Sequence, residues 1–162
     1  LFLTERRLLI PKSREMIVSW SALAYVVWRC QKDERTVAVI QCQKEDKATD
    51  LVGGDPGGYA RTLYQRQPKW LRRLHPLIEG GLSRLRIAWQ NGSEIHGVPS
   101  GADQVRQYHP TILIVDEAAF VDSFKDTYDT ADPVTTQIIA VSSVQPSWFV
   151  DQCDEVLQEG AA

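Results

Sequence analysis

The chain has 162 residues, which is enough for one domain with a substantial buried core. Its 43% hydrophobic and 24% charged residues indicate a globular protein, and no apolar run approaches the roughly 20 residues that span a bilayer. A membrane protein is therefore excluded, and the formal net charge of −3 argues weakly against a dedicated nucleic-acid binder.

The first elements of the chain alternate between strand and helix. Residues 7–10 predict a short strand and residues 11–18 a loop. Residues 19–31 are apolar around most of a helix circumference, which predicts a buried helix opened by Ser19. Residues 36–42 form a β-branched run of the kind that is buried on both faces of a parallel sheet. The amino-terminal third therefore predicts the order strand, loop, helix, strand.

The next segments predict two helices and a hairpin. Residues 44–52 and 59–67 are the predicted helices, joined by a polar, Gly/Pro-rich stretch. Residues 85–90 and 94–98 flank Asn91-Gly92, which predicts a hairpin with a two-residue turn.

Two more apolar strands, residues 111–115 and 137–142, enclose an acidic helical segment. The whole pattern predicts an α/β fold with a mainly parallel central sheet flanked by helices and an inserted β-hairpin. In such a fold, ligands bind at the carboxyl ends of the strands.

One of these strands ends in two consecutive carboxylates. Residues 112–115 are wholly apolar, and Asp116 and Glu117 follow directly. In a P-loop ATPase an aspartate at this position holds Mg²⁺, usually through water, while the adjacent glutamate polarises the water that attacks the γ-phosphate. The alternative is an ordinary strand that ends in a solvated acidic turn.

The loop between the first strand and the buried helix is the candidate phosphate-binding loop. The common pattern is Gly-x-x-x-x-Gly-Lys-Ser/Thr, and in residues 12–19 only Ser19 matches it. The loop nevertheless has the right length and leads into a helix N-terminus, which attracts anions. Lys12 and Arg14 add positive charge, and Ser19 is a candidate Mg²⁺ ligand. A helix cap with two solvated cations is the alternative.

These residues resemble the large terminase subunits that package DNA into the heads of tailed bacteriophages. Several members of that family have a deviant phosphate loop in which the lysine lies at the start, as in Lys12-Ser13-Arg14...Ser19. The resemblance continues in residues 41–48 and, most specifically, in residues 101–120, where an arginine-bearing turn, His-Pro and the acidic strand follow in one register. Residues 142–146 resemble the family's coupling motif.

The resemblance implies a P-loop NTPase of the RecA-like (ASCE) class that binds ATP and Mg²⁺. It implies roles for the following residues: phosphate binding for Lys12, Ser13 and Arg14, Mg²⁺ binding for Ser19 and Asp116, water activation for Glu117, and coupling of hydrolysis to movement for Ser142 and Ser143.

An arginine finger is also implied, because a cation stabilises the charge that develops on the transferring phosphoryl group. In some relatives the arginine at the position of Arg106 reaches into a neighbouring subunit's site, which implies a homo-oligomeric ring. Arg14 could serve within its own subunit instead, and a surface pairing of Arg106 with Asp103 or Glu94 is the alternative.

The resemblance also sets expectations for the whole protein. Residues 1–162 would be the ATPase domain of a longer protein, without the family's nuclease domain, so we expect no nuclease activity from this chain. The expected partners are double-stranded DNA, the portal protein and the small terminase subunit, in the cytoplasm of the host cell during virion assembly. Two alternatives stay open: a helicase-like ATPase, and a degenerate P-loop domain that acts as a scaffold.

Two features bear on these alternatives. Ile17 lies where glycine commonly permits a left-handed backbone, and β-branched residues are poor there, so we expect low nucleotide affinity. Residues 61–86 carry seven basic groups against one acidic group, whereas residues 116–162 carry ten acidic groups against one lysine. The basic segment is a candidate surface for DNA, or for an acidic neighbouring subunit.

Overall fold

The computed structural model of the chain describes residues 2–14, 16–54 and 57–159. Glu15 of the predicted phosphate loop and residues 55–56 of the predicted Gly/Pro-rich stretch lie outside the described residues.

One sheet of seven strands forms the centre of the described chain. The strands are β1 (Arg7–Lys12), β2 (Val37–Gln41), β3 (Leu77–Leu82), β4 (Arg86–Trp89), β5 (Glu94–Val98), β6 (Ile112–Asp116) and β7 (Gln137–Ser143). Their order across the sheet is β1-β7-β6-β2-β5-β4-β3. The pairs from β1 through β5 are parallel, and β5-β4 and β4-β3 are antiparallel. The predicted mainly parallel sheet is therefore confirmed.

Helices cover both faces of this sheet, as predicted. They are α1 (Val18–Lys32), α2 (Glu45–Leu51), α3 (Tyr59–Gln65), α4 (Lys69–Leu74), α5 (Ala102–Arg106), α6 (Phe124–Ala131) and α7 (Trp148–Glu159), with a 3₁₀ turn at Ala118–Phe120. Apolar side chains of α1, α2 and α3 pack into one core, and those of α5, α6 and α7 into another. Along β6, Ile112 and Ile114 join the first core and Leu113 and Val115 join the second. This two-sided burial explains the uninterrupted apolar run.

The predicted hairpin is present, but it differs from the prediction in its turn and its place. Its loop has three residues, because the Trp89 amide donates to the Ser93 carbonyl at 2.9 Å and only Gly92 has a positive φ, 82°. The side-chain amide of Asn91 donates to the Cys30 carbonyl at 2.8 Å, and this hydrogen bond holds the turn against the end of α1. β5 also pairs in parallel with β2, so the hairpin is an extension of the main sheet.

Four elements, the helices α4, α5 and α7 and the strand β3, were not predicted. No residue of α4 is buried, so its apolar residues show no buried stripe of helical period. β3 contains Gly80 and Gly81 and pairs irregularly at the sheet edge, where glycines weaken the strand pattern.

None of the described helices combines the length and the apolar character needed to cross a membrane. The three cysteines, Cys30, Cys42 and Cys153, are buried and free of disulfides.

Candidate functional site

The carboxyl end of β1 carries the first side chain of the site. Lys12 is the last residue of β1 and only 8% of its side chain is exposed. Its ammonium nitrogen Nζ donates to Glu117 Oε1 at 3.1 Å. A nearly buried lysine needs a partner, and Glu117 is that partner and holds the Lys12 ammonium group at the acidic strand end.

The start of α1 differs from the prediction. The helix begins at Val18, its N-cap is Ile17 and no side chain caps it, so Ser19 is not the cap that was expected. Ile17 has φ 57° and ψ 12°, so it adopts the left-handed conformation that glycine commonly permits and that is poor for β-branched residues. Ser19 lies in the first turn instead, and its hydroxyl donates to Asp116 Oδ1 at 2.6 Å.

The two carboxylates at the end of β6 have different partners. Asp116 is the last residue of the strand and contacts Ser19. Glu117 takes the left-handed conformation, φ 53° and ψ 47°, and begins the 3₁₀ turn. Lys12 holds one of its carboxylate oxygens, and Ser143 holds the other through its amide (3.3 Å) and its hydroxyl (3.0 Å). Glu117 is therefore fixed from β1 and from β7 at once.

The end of β7 also supports the backbone of the acidic turn. Ser142 is buried, and its hydroxyl accepts a hydrogen bond from the Ala119 amide at 3.0 Å. Gln145, which was not singled out as a site residue, donates to the Ala119 carbonyl at 3.0 Å. Ser142 and Ser143 thus do different work: Ser142 holds the turn, and Ser143 contacts Glu117 directly.

Burial and these hydrogen bonds move the two pKa values in opposite directions. Burial raises the pKa of Asp116, and the nearby charge of Glu117 raises it further, against the opposing hydrogen bond from Ser19. Burial also opposes the ionisation of Glu117, but the hydrogen bonds from Lys12 and Ser143 outweigh it and lower the pKa of Glu117. Glu117 is therefore the carboxylate that stays ionised most readily.

These side chains line a cleft of about 470 Å³, called the cleft below. Its walls include Lys12, Arg14, Ser19, both carboxylates and Ser143. The opposite wall, which sequence reasoning missed, comes from the segment after β2 and from α2 and α3: Cys42, Gln43, Lys47, Asp50, Leu51 and Tyr59. The carboxyl end of β2 was the available signal for it, because ligands of parallel sheets bind at that edge.

Three predicted residues stand apart from the cleft. Ser13 is exposed and does not line it, and Ser142 lies buried behind the acidic turn. Arg106, on α5, has a side chain that is 62% exposed, and it donates to Asp103 Oδ1 and Thr130 Oγ1, both at 3.4 Å. The surface pairing of Arg106 with Asp103 is therefore present within the single chain.

The oxygen atoms of the cleft fit a magnesium ion. Ser19 and Asp116 present a hydroxyl and a carboxylate, the hard oxygen ligands that Mg²⁺ prefers. Within the described ranges no group of three His, Cys, Asp or Glu side chains is arranged to hold a metal by itself. A magnesium ion here would take its remaining ligands from water and nucleotide phosphates, which is its usual manner of binding.

Two solved structures are similar to this chain over 91% of its length, both with 64% of their own chains covered. One is the ATPase domain of the large terminase of Thermus phage P74-26, with a TM-score of 0.58 and 17% sequence identity. The other is a variant of that domain with one arginine replaced by alanine, with a TM-score of 0.57 and 18% identity. Neither a protein-family model nor a curated protein matches the sequence. The similarity confirms the predicted α/β fold and its likeness to a terminase ATPase domain, at the level of the fold.

Proposed function

We propose that this chain is the ATP-hydrolysing motor domain of a viral DNA-packaging terminase large subunit, which uses Mg²⁺-ATP to move double-stranded DNA into a prohead. One observation supports it most. Two pairs of residues about a hundred positions apart, Lys12 with Glu117 and Ser19 with Asp116, meet in one cleft on the fold of a large terminase ATPase domain. The motor would act in the host cytoplasm with the portal protein and the small terminase subunit.

The residues of the chain divide the work of phosphoryl transfer among themselves. Lys12 and Arg14 bind phosphate oxygens from the side of β1, and the phosphates compete with Glu117 for the ammonium group of Lys12. Ser19 and Asp116 would hold Mg²⁺, which neutralises phosphate charge when it is bound. Glu117, kept ionised by its hydrogen bonds, accepts a hydrogen bond from the attacking water and orients it.

The test compares the wild-type protein with Glu117→Ala. We expect the substitution to lower the ATP hydrolysis rate by roughly 10²- to 10⁴-fold, because a positioned base contributes about that factor. Binding of Mg²⁺-ATP should be retained. Glu34→Ala, which changes an exposed glutamate outside the cleft, is the matched control and should keep the wild-type rate. Equal rates above background for wild type and Glu117→Ala would overturn the proposal.

Arg106 and Arg14 are the two candidates for the arginine finger. Arg106 is exposed and lies outside its own cleft, as a finger for a neighbouring subunit would, whereas Arg14 lines the cleft of its own chain. Mixing Arg106→Ala protein with Glu117→Ala protein separates them. We expect part of the ATPase activity to return, because a mixed ring contains sites with an intact Glu117 next to an intact Arg106. No recovery would assign the finger to Arg14.

The basic segment is the candidate DNA surface. Arg86 is paired with Glu94, but Arg66, Lys69 and Arg73 are exposed on or beside α3 and α4. Clustered cations of this kind bind phosphates without reading sequence. Lys69→Glu should weaken double-stranded DNA binding and reduce its salt dependence, whereas Lys44→Glu should not. An unchanged salt dependence would place the DNA elsewhere.

A degenerate, non-hydrolysing scaffold domain is the second candidate function. The observation that favours it is Ile17, an exposed β-branched residue in the left-handed conformation at the point where the chain enters α1. Calorimetry that detects no Mg²⁺-ATP binding to the wild-type protein, even at millimolar nucleotide, would favour this candidate over the motor.

A further inference from the structure

The cleft contains a third cation that the proposed mechanism does not use. Lys47 lies in the first turn of α2 and lines the cleft together with Asp50 and Leu51. Residues three and four positions apart share one helix face, so these three residues mark the face of α2 that is turned to the cleft. Among the described residues, the Lys47 side chain makes no hydrogen bond and no ion pair.

Lys47 lies on the opposite wall from the phosphate-binding loop. The strands β7 and β6 separate β1 from β2, so Lys12 and the end of β2 are three strand spacings apart, or about 14 Å. The end of β2 adjoins the acidic strand, because Gln41 pairs with Val115. The wall that carries Lys47 therefore adjoins Asp116.

The electrostatics of Cys42 support this placement. Burial raises the pKa of the Cys42 thiol, the charge of Asp116 raises it further, and the charge of Lys47 lowers it. Lys47 and Asp116 therefore act on the same thiol from within the cleft.

The charges in the cleft explain why a third cation matters. Three cations, Lys12, Arg14 and Lys47, face three carboxylates there, and Lys12 is already bound to Glu117. The position directly before Ser19, where the common phosphate loop has its lysine, is Val18. A polyphosphate in this cleft meets no cation at that position of the loop, and Lys47 adds one from the opposite wall.

We propose that Lys47 contacts the terminal phosphate of the bound nucleoside triphosphate and so distinguishes a triphosphate from a diphosphate. This assignment rests on the proposed function. The terminal phosphate has to lie nearest Glu117 and its water, and it is the part of the nucleotide that extends furthest from the loop after β1 towards β2. The first two phosphates stay with Lys12 and the N-terminus of α1.

The experiment measures the dissociation constants of a non-hydrolysable ATP analogue and of ADP, each with Mg²⁺, by titration calorimetry. Lys47→Ala should weaken binding of the analogue about tenfold and leave ADP binding nearly unchanged, because one charge-assisted hydrogen bond is lost only with the triphosphate. Lys44→Ala is the matched control, since it removes an exposed lysine that borders α2 and lies outside the cleft lining. It should leave both constants unchanged.

The outcomes separate this inference from the function on which it rests. If the wild-type protein binds both nucleotides and Lys47→Ala behaves like Lys44→Ala, the role of Lys47 is overturned while the proposed function stands. If Lys47→Ala loses both nucleotides equally, the assignment to the terminal phosphate is overturned. If the wild-type protein binds neither nucleotide, the proposed function fails and the inference fails with it. Matching thermal unfolding of the two variants would confirm that both are folded.

Discussion

The two halves of the cleft differ in how firmly their residues are held. The acidic half lies at the ends of β6 and β7, two interior strands, and Ser143 and Lys12 fix the Glu117 carboxylate on both oxygens. The other half follows β1, an edge strand of the described sheet, and enters α1 through Ile17 in a left-handed conformation. A β-branched residue there costs roughly 1 to 2 kcal/mol. The Glu117 carboxylate is therefore fixed in place, whereas the loop that leads into α1 carries the strain of Ile17.

Lys12 connects the two halves of the cleft through its contact with Glu117. Lys12→Ala should weaken Mg²⁺-ATP binding by roughly 10- to 100-fold, since a hydrogen bond to a charged group is lost in a nearly buried position. Titration calorimetry measures this, with Lys69→Ala on exposed α4 as the control. Unchanged affinity would mean that Lys12 does not bind phosphate. The division of the cleft into a phosphate-binding half and an acidic half would then be wrong.

Substitution of Asp116 measures how much a buried carboxylate in the acidic half of the cleft destabilises the domain. Because burial raises its pKa, the charged carboxylate is disfavoured in the folded domain at neutral pH. Asp116→Asn removes that charge, so in the absence of Mg²⁺ we expect Tm to rise by about 3 °C at neutral pH, the shift that 1 kcal/mol produces in a domain of this size. Mg²⁺-dependent ATP binding should be lost.

The stability gained by Asp116→Asn should depend on pH, because the wild-type carboxyl group titrates. Asp116 destabilises the domain above its raised pKa, and it ceases to do so when it is protonated at lower pH. The gain from Asp116→Asn should therefore shrink as pH falls, as measured by scanning calorimetry. A gain that grew at low pH would contradict the prediction.

Ile17 tests the strained half, with a smaller effect. The Ile17 side chain is 68% exposed, so removing it loses little buried apolar area. Ile17→Gly should be more stable than Ile17→Ala by about 1 kcal/mol, because only glycine adopts a positive φ without strain. Urea unfolding of the two variants measures the difference. Equal free energies of unfolding would show that the backbone at position 17 is not strained, and this difference between the two halves would disappear.

The smallest expected effect is that of Ser143→Ala, which tests how Ser143 acts on Glu117 in the acidic half of the cleft. Its hydrogen bonds help to lower the pKa of Glu117, so Ser143→Ala should raise that pKa. Since only the ionised carboxylate orients water, ATPase activity falls as pH drops through this pKa. The acid limb of the pH-rate profile should therefore move to higher pH, with the rate at alkaline pH little changed. A profile without this move would limit Ser143 to a structural role.

Local patterns predicted α1 and the buried strands of the sheet well, but they did not predict α7, although Phe149 of that helix is buried. α1 and β6 were predicted because apolar residues occupy most of the helix circumference and all of residues 112–115, although Trp28 of α1 is 42% exposed in the structure. α4 and β3 were not predicted because they lie at the sheet margin, where burial imposes no clear period. The cap at Ser19 was wrong for a related reason: cap preference is local, and the tertiary contact with Asp116 placed this serine inside the helix.

The sequence by itself determined the carboxylates at the end of β6, the loop before α1 and their likeness to a packaging ATPase, because each depends on residues close together in the chain. Only the tertiary structure decided that Lys12 pairs with Glu117, that Ser19 contacts Asp116 and that Lys47 faces them across the cleft. Those contacts depend on β7 lying between β1 and β6 and on β2 lying beyond β6. Strand order is set by packing between distant segments, which no local pattern records.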